Sequence, residues 1–343
     1  MLMYNYETKY ILTDMRKNVL AIAMLAIFVT LSAQAQKGEK VPAVSKPAAD
    51  TAAEPVWKKG GEGKLDFSHT NFGTWTEGAL NATTAIANLT LFGHYKKDKI
   101  SWDNDGRFTL GFLNTENIKD WRKADDVIKL QSKFGYAINK KLNWATLGTF
   151  DSQFAPTLNF TGDTVPGQDY NAPAVARFLS PAFFTIGTGL DYKPTDWISV
   201  YFSPATFRAL IVADQDIANL GLYGNKVENG VGDRFKPELG AQFIGDLKKE
   251  VVKNVTFASH LELFSNLLQN RFGKTKPQNI DILWVNALRF TINKYIAATL
   301  ENTLRYDDEV VVVKNRGKGD QYNGKGLQTK SFFGIGLTYK FAN

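Results

Sequence analysis

Cysteine is absent from the 343 residues. That excludes a disulfide framework, a thiolate metal site, a cysteine nucleophile and the lipidated N-terminal cysteine of a bacterial lipoprotein. Histidine is scarce, with only His69, His94 and His260. No dense Lys/Arg block occurs, and a formal charge of +7 gives no case for nucleic acid as a partner. Aromatics at 13% and charged residues at 22% exclude both a disordered chain and a helical bundle.

Long apolar runs are missing too. Met15–Gln36, "MRKNVLAIAMLAIFVTLSAQAQ", pairs a basic start with an apolar stretch from Val19 to Leu31 and the small-residue pattern Ala33-Gln34-Ala35. The stretch is short of the roughly 20 residues a spanning helix needs, so it reads as a secretory signal peptide over 15–35. Residues 1–14 read as an over-extended start. Residues 36–56, rich in Pro, Ala and charge, read as a flexible periplasmic tether. The remainder, 57–343, is expected to be one domain.

What the chain does have is a period of two. Ile100, Trp102, Phe108, Leu110 and Phe112 alternate with Ser101, Asp103, Asp105, Arg107 and Thr109. Similar alternation runs through 129–136, 184–192, 255–263, 296–306 and the closing "LQTKSFFGIGLTYKFAN" (327–343). These are half-buried strands. Weaker candidates near 63–72, 84–95, 142–154, 197–207, 235–247 and 281–292 bring the expected number to about twelve.

Short connections near 96–99, 138–143, 193–196, 248–254 and 293–295 alternate strictly with long ones at 73–83, 113–126, 155–182, 208–234, 265–280 and 307–326. In an antiparallel meander this places every short turn on one rim and every long loop on the other. Short periplasmic turns opposite long extracellular loops is the pattern of an outer-membrane barrel. Tyr95, Trp102, Tyr136, Trp144, Tyr192 and Trp197 flank the short turns, and Tyr339 lies near the end of the last strand. Amphipathic rings at that height suit a membrane interface. A soluble β-sandwich is the alternative. Strands of about 9–13 residues match a tilted bilayer crossing better than the ~5–6 typical of soluble sheets.

The stretches "VWKKGGEGKLDFSHTNFGTWTEGALNA" (56–82), "YKKDKISWDND" (95–105), "RKADDVIKLQSKFGYAINKKLNWATLGTFDSQFAP" (122–156), "DYKPTDWISVYFSP" (191–204), "KEVVKNVTFASHLELFSNLLQN" (249–270) and "KSFFGIGLTYKF" (330–341) resemble the DUF3078 family of Bacteroidetes. The resemblance covers most of 56–341. It implies an exported outer-membrane barrel in a Gram-negative bacterium of that phylum, and it carries over no reaction and no active site.

On the barrel reading the polar parity faces a lumen. Asp103, Asp105, Arg107, Lys129, Lys133, Asp191, Glu262, Arg289, Glu301, Arg305 and Lys330 are the lumen-lining candidates, with both signs of charge represented. Ser259 and His260 are neighbours in a strand and point to opposite faces, so they are not a nucleophile and its base. Asp103, Asp105 and Gly106 imitate part of a calcium loop but lack its closing glutamate. "TIGTGL" (185–190) alternates within a strand rather than opening a helix and fails as a dinucleotide loop. No catalytic, cofactor or metal set is therefore expected. The expected partners are outer-membrane lipid, lipopolysaccharide, the barrel-assembly machinery and a small solute. The expected function is a narrow or loop-plugged pore. The alternative is a closed barrel acting as an envelope scaffold through its loops, and a barrel-embedded hydrolase ranks last.

Overall fold

The computed structural model describes residues 56–70, 82–115, 118–158, 173–267, 279–307, 309–310, 312–314, 322–324 and 326–342. The expected start extension and signal peptide, and the tether up to residue 55, lie outside the described residues. So do most of the segments expected as loops at 73–83 and 265–280.

The domain is a single closed antiparallel barrel. Its strands are β1 (Trp57–Thr70), β2 (Ala82–Lys97), β3 (Ile100–Thr115), β4 (Ile118–Ala137), β5 (Leu142–Ser152) and β6 (Ala182–Thr195). They continue as β7 (Ile198–Ile211), β8 (Phe235–Val252), β9 (Val255–Asn266), β10 (Ile280–Thr291), β11 (Ile296–Tyr306) and β12 (Gln328–Ala342). Each strand pairs with the next in the chain, and β1 closes the ring against β12 from Gly60↔Ala342 to Phe67↔Ile335. Closure satisfies the backbone groups that an open edge would strand in hydrocarbon, at a cost of several kcal/mol each. Short paired segments at 157–158/174–176, 227–228/231–232 and 312–314/322–324 decorate the long connections.

The outer face is that of a transmembrane barrel. On β12 Phe333 and Leu337 are 62% and 58% exposed, whereas Gly334, Gly336 and Thr338 between and beside them are buried. Leu65 and Phe67 on β1, Ile186 and Leu190 on β6, and Leu300 on β11 continue the exposed apolar belt. A contiguous surface of this kind has no place on a soluble monomer. Among the described residues no helix is long and apolar enough to cross a membrane.

Three expectations about the elements need correction. The first strand is not 63–72 but Trp57–Thr70, beginning in "WKKGG", where no alternation marks it. The segment 113–126 is not a long loop, because β3 runs to Thr115 and β4 starts at Ile118, with Thr115 paired to Ile118. That hairpin extends past the apolar belt, and a strand bathed in water on both faces needs no alternation. Four of the five short turns are also tighter than the sequence suggested, the β10–β11 turn at 292–295 being the exception. Two of them close through Asp98 (φ 52) and Asn254 (φ 66), residues that tolerate the left-handed conformation.

Candidate functional site

The interior is built strand by strand. On β1 Lys64 lies 2.9 Å from Asp66 and also donates to Thr299 on β11 at 2.9 Å, reaching across β12. The path is open because β12 carries glycine there. A Cβ on Gly336 would stand 2.4 Å from Asp66 Oδ1 and 2.5 Å from the Leu65 carbonyl oxygen. Asn88 on β2 donates to Asp66 at 3.3 Å and accepts from Thr109 on β3 at 2.9 Å, so this polar shelf runs over five strands.

Two contacts bridge more of the ring. Arg107 on β3 lies 3.6 Å from Glu301 on β11, and Lys330 on β12 lies 2.7 Å from Asp125 on β4. Three strands intervene along the wall in each case, so both contacts cross the interior. Arg289 on β10 pairs with Glu62 on β1, and Lys133 on β4 reaches Asp191 on β6 at 3.2 Å across β5. Ser199 adds a 2.8 Å hydrogen bond to Asp191. Lys129 meets Asp151 at 3.6 Å, and Glu262 accepts from Gln242 at 2.8 Å. Asp103 stands opposite His94 in the β2–β3 register. Asp105 contacts His94 at 3.0 Å. His260 contacts Asp246 at 2.7 Å and Glu262 at 3.8 Å. These are lumenal carboxylate partners for His94 and His260. The side chain of His69 lies outside the described residues.

The lumen is two-sided. Near β5 to β8 it is filled by Ala145, Leu147, Tyr201 and Ile244, all nearly inaccessible, a small apolar core that the parity reading had left out. Near β2 and β3 it is wet, and the side chains of Arg107, His94 and Asp105 are 45%, 42% and 41% exposed. Toward the loop rim a cavity of about 160 Å³ is lined by Lys129, Asp151, Glu262, Arg208, Asp281 and Arg305, among others.

Arg208 was missed in the sequence. Pro204 interrupts β7, and the register shifts against both neighbouring strands there. After that bulge Thr206, Arg208 and Leu210 face inward, instead of continuing the parity of Ser199, Tyr201 and Ser203. Arg208 donates to Glu238 and, at 2.6 Å, to Asp281, and stacks 3.9 Å from the centroid of Phe264. Arg305 lies over Phe183, 5.6 Å from its centroid.

The connection 212–234 forms a roof beside this cavity, packed against Phe183 of its lining. A short helix, α1 (Gln215–Asn219), is capped by Asp214, which accepts from the backbone N–H groups of Asp216 and Ile217 and pairs with Arg177 at 2.6 Å. Ile217 and Ala218 pack with Leu210 and Val212, and Phe183 and Tyr223 lie against them. Tyr223 donates to the Val175 carbonyl at 2.6 Å, and burial pushes its hydroxyl up to about 12. Glu309, from the β11–β12 connection, pairs with Lys236 and lies against Gly224 of the roof.

The expected interface aromatics fall on the turn rim. Trp102, Tyr136, Trp144 and Tyr192 are exposed there, and Tyr95, Trp197 and Tyr339 are half-buried. Trp57 joins Tyr95 and Trp102 at 5.2 and 6.2 Å between ring centroids.

A family model described as "Protein of unknown function (DUF3078)" matches residues 67–157, from β1 through β5, and supports the family resemblance. No curated protein matches the chain. Among solved structures, an outer membrane channel from Pseudomonas putida F1 is 13% identical, covering 87% of this chain and 100% of its own, with a TM-score of 0.39. The translocator domain of the autotransporter NalP from Neisseria meningitidis is 8% identical over 95% of this chain and 98% of its own, with a TM-score of 0.37. The NanC porin is 12% identical over 83% of this chain and 100% of its own, with a TM-score of 0.34. At these scores the likenesses assign nothing further to this chain.

Proposed function

We propose that the chain is an outer-membrane barrel forming a narrow pore, capped on its outer side by the 212–234 roof, for passive passage of a small or amphipathic solute. The two-sided lumen carries this reading. A barrel serving only as a scaffold would gain by filling its interior throughout, yet here one half is packed and the other is lined by solvated charge. The rows led by Arg107, Glu301 and Lys330 would set selectivity, because a narrow aqueous path between charged walls focuses the field on a passing ion. In this reading the short turns face the periplasm. The alternating closing strand, ending in Tyr339 and Phe341, is what the barrel-assembly machinery engages.

The contacts that cross the lumen favour one rival, a closed barrel acting as an envelope scaffold. Single-channel recording in planar bilayers separates the two. The intact protein is expected to give small steps, and a variant lacking 213–233 larger ones. Folded protein that passes no current in either form is a scaffold, and the pore reading then fails.

A further inference from the structure

The turns that looked unremarkable one by one become a single feature when the barrel closes. Lys96, Lys97 and Lys99 border the β2–β3 turn, and Lys140 and Lys141 form the next. Lys248, Lys249 and Lys253 border the β8–β9 turn, Lys294 lies in the β10–β11 turn, and Lys58 and Lys59 open β1. All are exposed, and the exposed carboxylates of this rim are Asp98, Asp196, Asp246 and Glu250. The opposite rim is mixed in sign: its loops carry Asp214, Asp216, Glu228, Asp233 and Glu309 together with Arg177, Lys226 and Arg234, and Arg177 and Lys226 pair with Asp214 and Glu228.

The collar is also oriented. Lys59 lies 5.4 Å from the ring centroid of Trp57, Lys99 5.9 Å from Tyr136, Lys249 4.5 Å from Trp197 and Lys294 4.7 Å from Tyr295. Trp57 and Tyr136 are exposed on the outer wall, and Tyr295 is exposed in the β10–β11 turn. Cation–π contact therefore holds these ammonium groups at the circumference, at the height of interfacial aromatics and away from the lumen. We propose that this lysine–aromatic collar is a binding surface for anionic phospholipid headgroups of the leaflet that borders the turn rim. The proposal rests on the bilayer-spanning reading of the barrel. A soluble polyanion would need the charge but not its placement against outward rings at the lipid boundary.

The test uses tryptophan quenching in vesicles containing brominated phosphatidylglycerol or brominated phosphatidylcholine. Trp57, Trp102, Trp144 and Trp197 report from this rim. About 1 kcal/mol per lysine at an anionic surface corresponds to roughly a fivefold preference for the anionic lipid, and salt should weaken it. The variant K59Q/K99Q/K249Q/K294Q, checked for wild-type heat-modifiable migration, should fall to near parity. Parity in the wild-type protein, or a preference that survives in the variant, would overturn the proposal. Lipid parity combined with tight binding of dextran sulfate would reassign the collar to a soluble polyanion and overturn it as well. Absence of quenching by either lipid would remove the bilayer-spanning reading itself, and the collar's role with it.

Discussion

Arg107 on β3 and Glu301 on β11 meet at 3.6 Å across the interior, with three strands between them along the wall. Their side chains are 45% and 20% exposed, so the contact lies in water. Exposed pairs contribute about 0–1 kcal/mol, which makes this one a constriction more than a strut. Removing both side chains with Arg107→Ala and Glu301→Ala should leave heat-modifiable migration in place and raise single-channel conductance. Arg107→Glu alone should move the reversal potential toward cation selectivity. Unchanged conductance and selectivity in all of these variants would place the conducting path elsewhere.

The glycines of β12 make a sharper structural prediction. Gly336→Val would drive a Cβ into Asp66 and the Leu65 carbonyl, disturbing the shelf on which Lys64 reaches Thr299. Overpacking of this kind costs about 1–3 kcal/mol. The temperature at which the folded band converts to the unfolded one on a gel should fall clearly. Gly93→Ala is the matched control, since its Cβ would meet nothing nearer than the Trp57 ring at 3.8 Å. Equal shifts for the two variants would show that the shelf does not matter.

How much of this was legible depends on where each residue sits relative to the apolar belt. Inside the belt, a strand must be apolar outward and is free to be polar inward, so β12 and the lower halves of β3 and β4 declared both faces. Beyond the belt that demand lapses, and the β3–β4 hairpin around Thr115 and Ile118 read as a loop. Arg208 was hidden because the strand was expected to end at 207 with a loop from 208, whereas it runs to Ile211, and because Pro204 shifts its parity by a residue. The lysine collar was dispersed over separate turns and exists only because meander closure gathers them. Length alone marked 208–234, like 155–182, as a connection long enough to fold inward as a plug. The helix of the 212–234 roof and the packing of Ile217 against Leu210 depend on contacts that no local pattern announces.

Arg208 itself should be the most sensitive charge in the lumen. Its guanidinium serves Glu238 and Asp281 together, and its side chain is only 18% exposed. Arg208→Met would leave Asp281 without its guanidinium partner and Glu238 with Lys236 alone, 3.0 Å away, at a cost of about 3–5 kcal/mol. The triple variant R208M/E238Q/D281N removes both carboxylate charges and should recover most of the loss. Thermal conversion on gels compares them. A triple variant no more stable than Arg208→Met alone would show that the packing of Arg208 on Phe264, rather than its charge, is what counts.

Tyr223 gives the roof an alkaline signature. An unfolded or solvent-exposed tyrosine ionises near 10, whereas burial holds this one up to about 12. Its folded value is the raised one, so the fold favours the neutral phenol. The contribution is complete below about pH 10 and is lost as pH climbs from 10 to 12. The phenolate can no longer donate to the Val175 carbonyl, and the roof should loosen over that window. In planar bilayers the wild-type protein is expected to show conductance rising between about pH 10 and 12, beyond any background change. Tyr223→Phe, which lacks the hydroxyl at every pH, should show only the background. An identical alkaline rise in both proteins would trace it to other groups, such as the lysines of the turn rim, and would detach Tyr223 from the closure of the mouth.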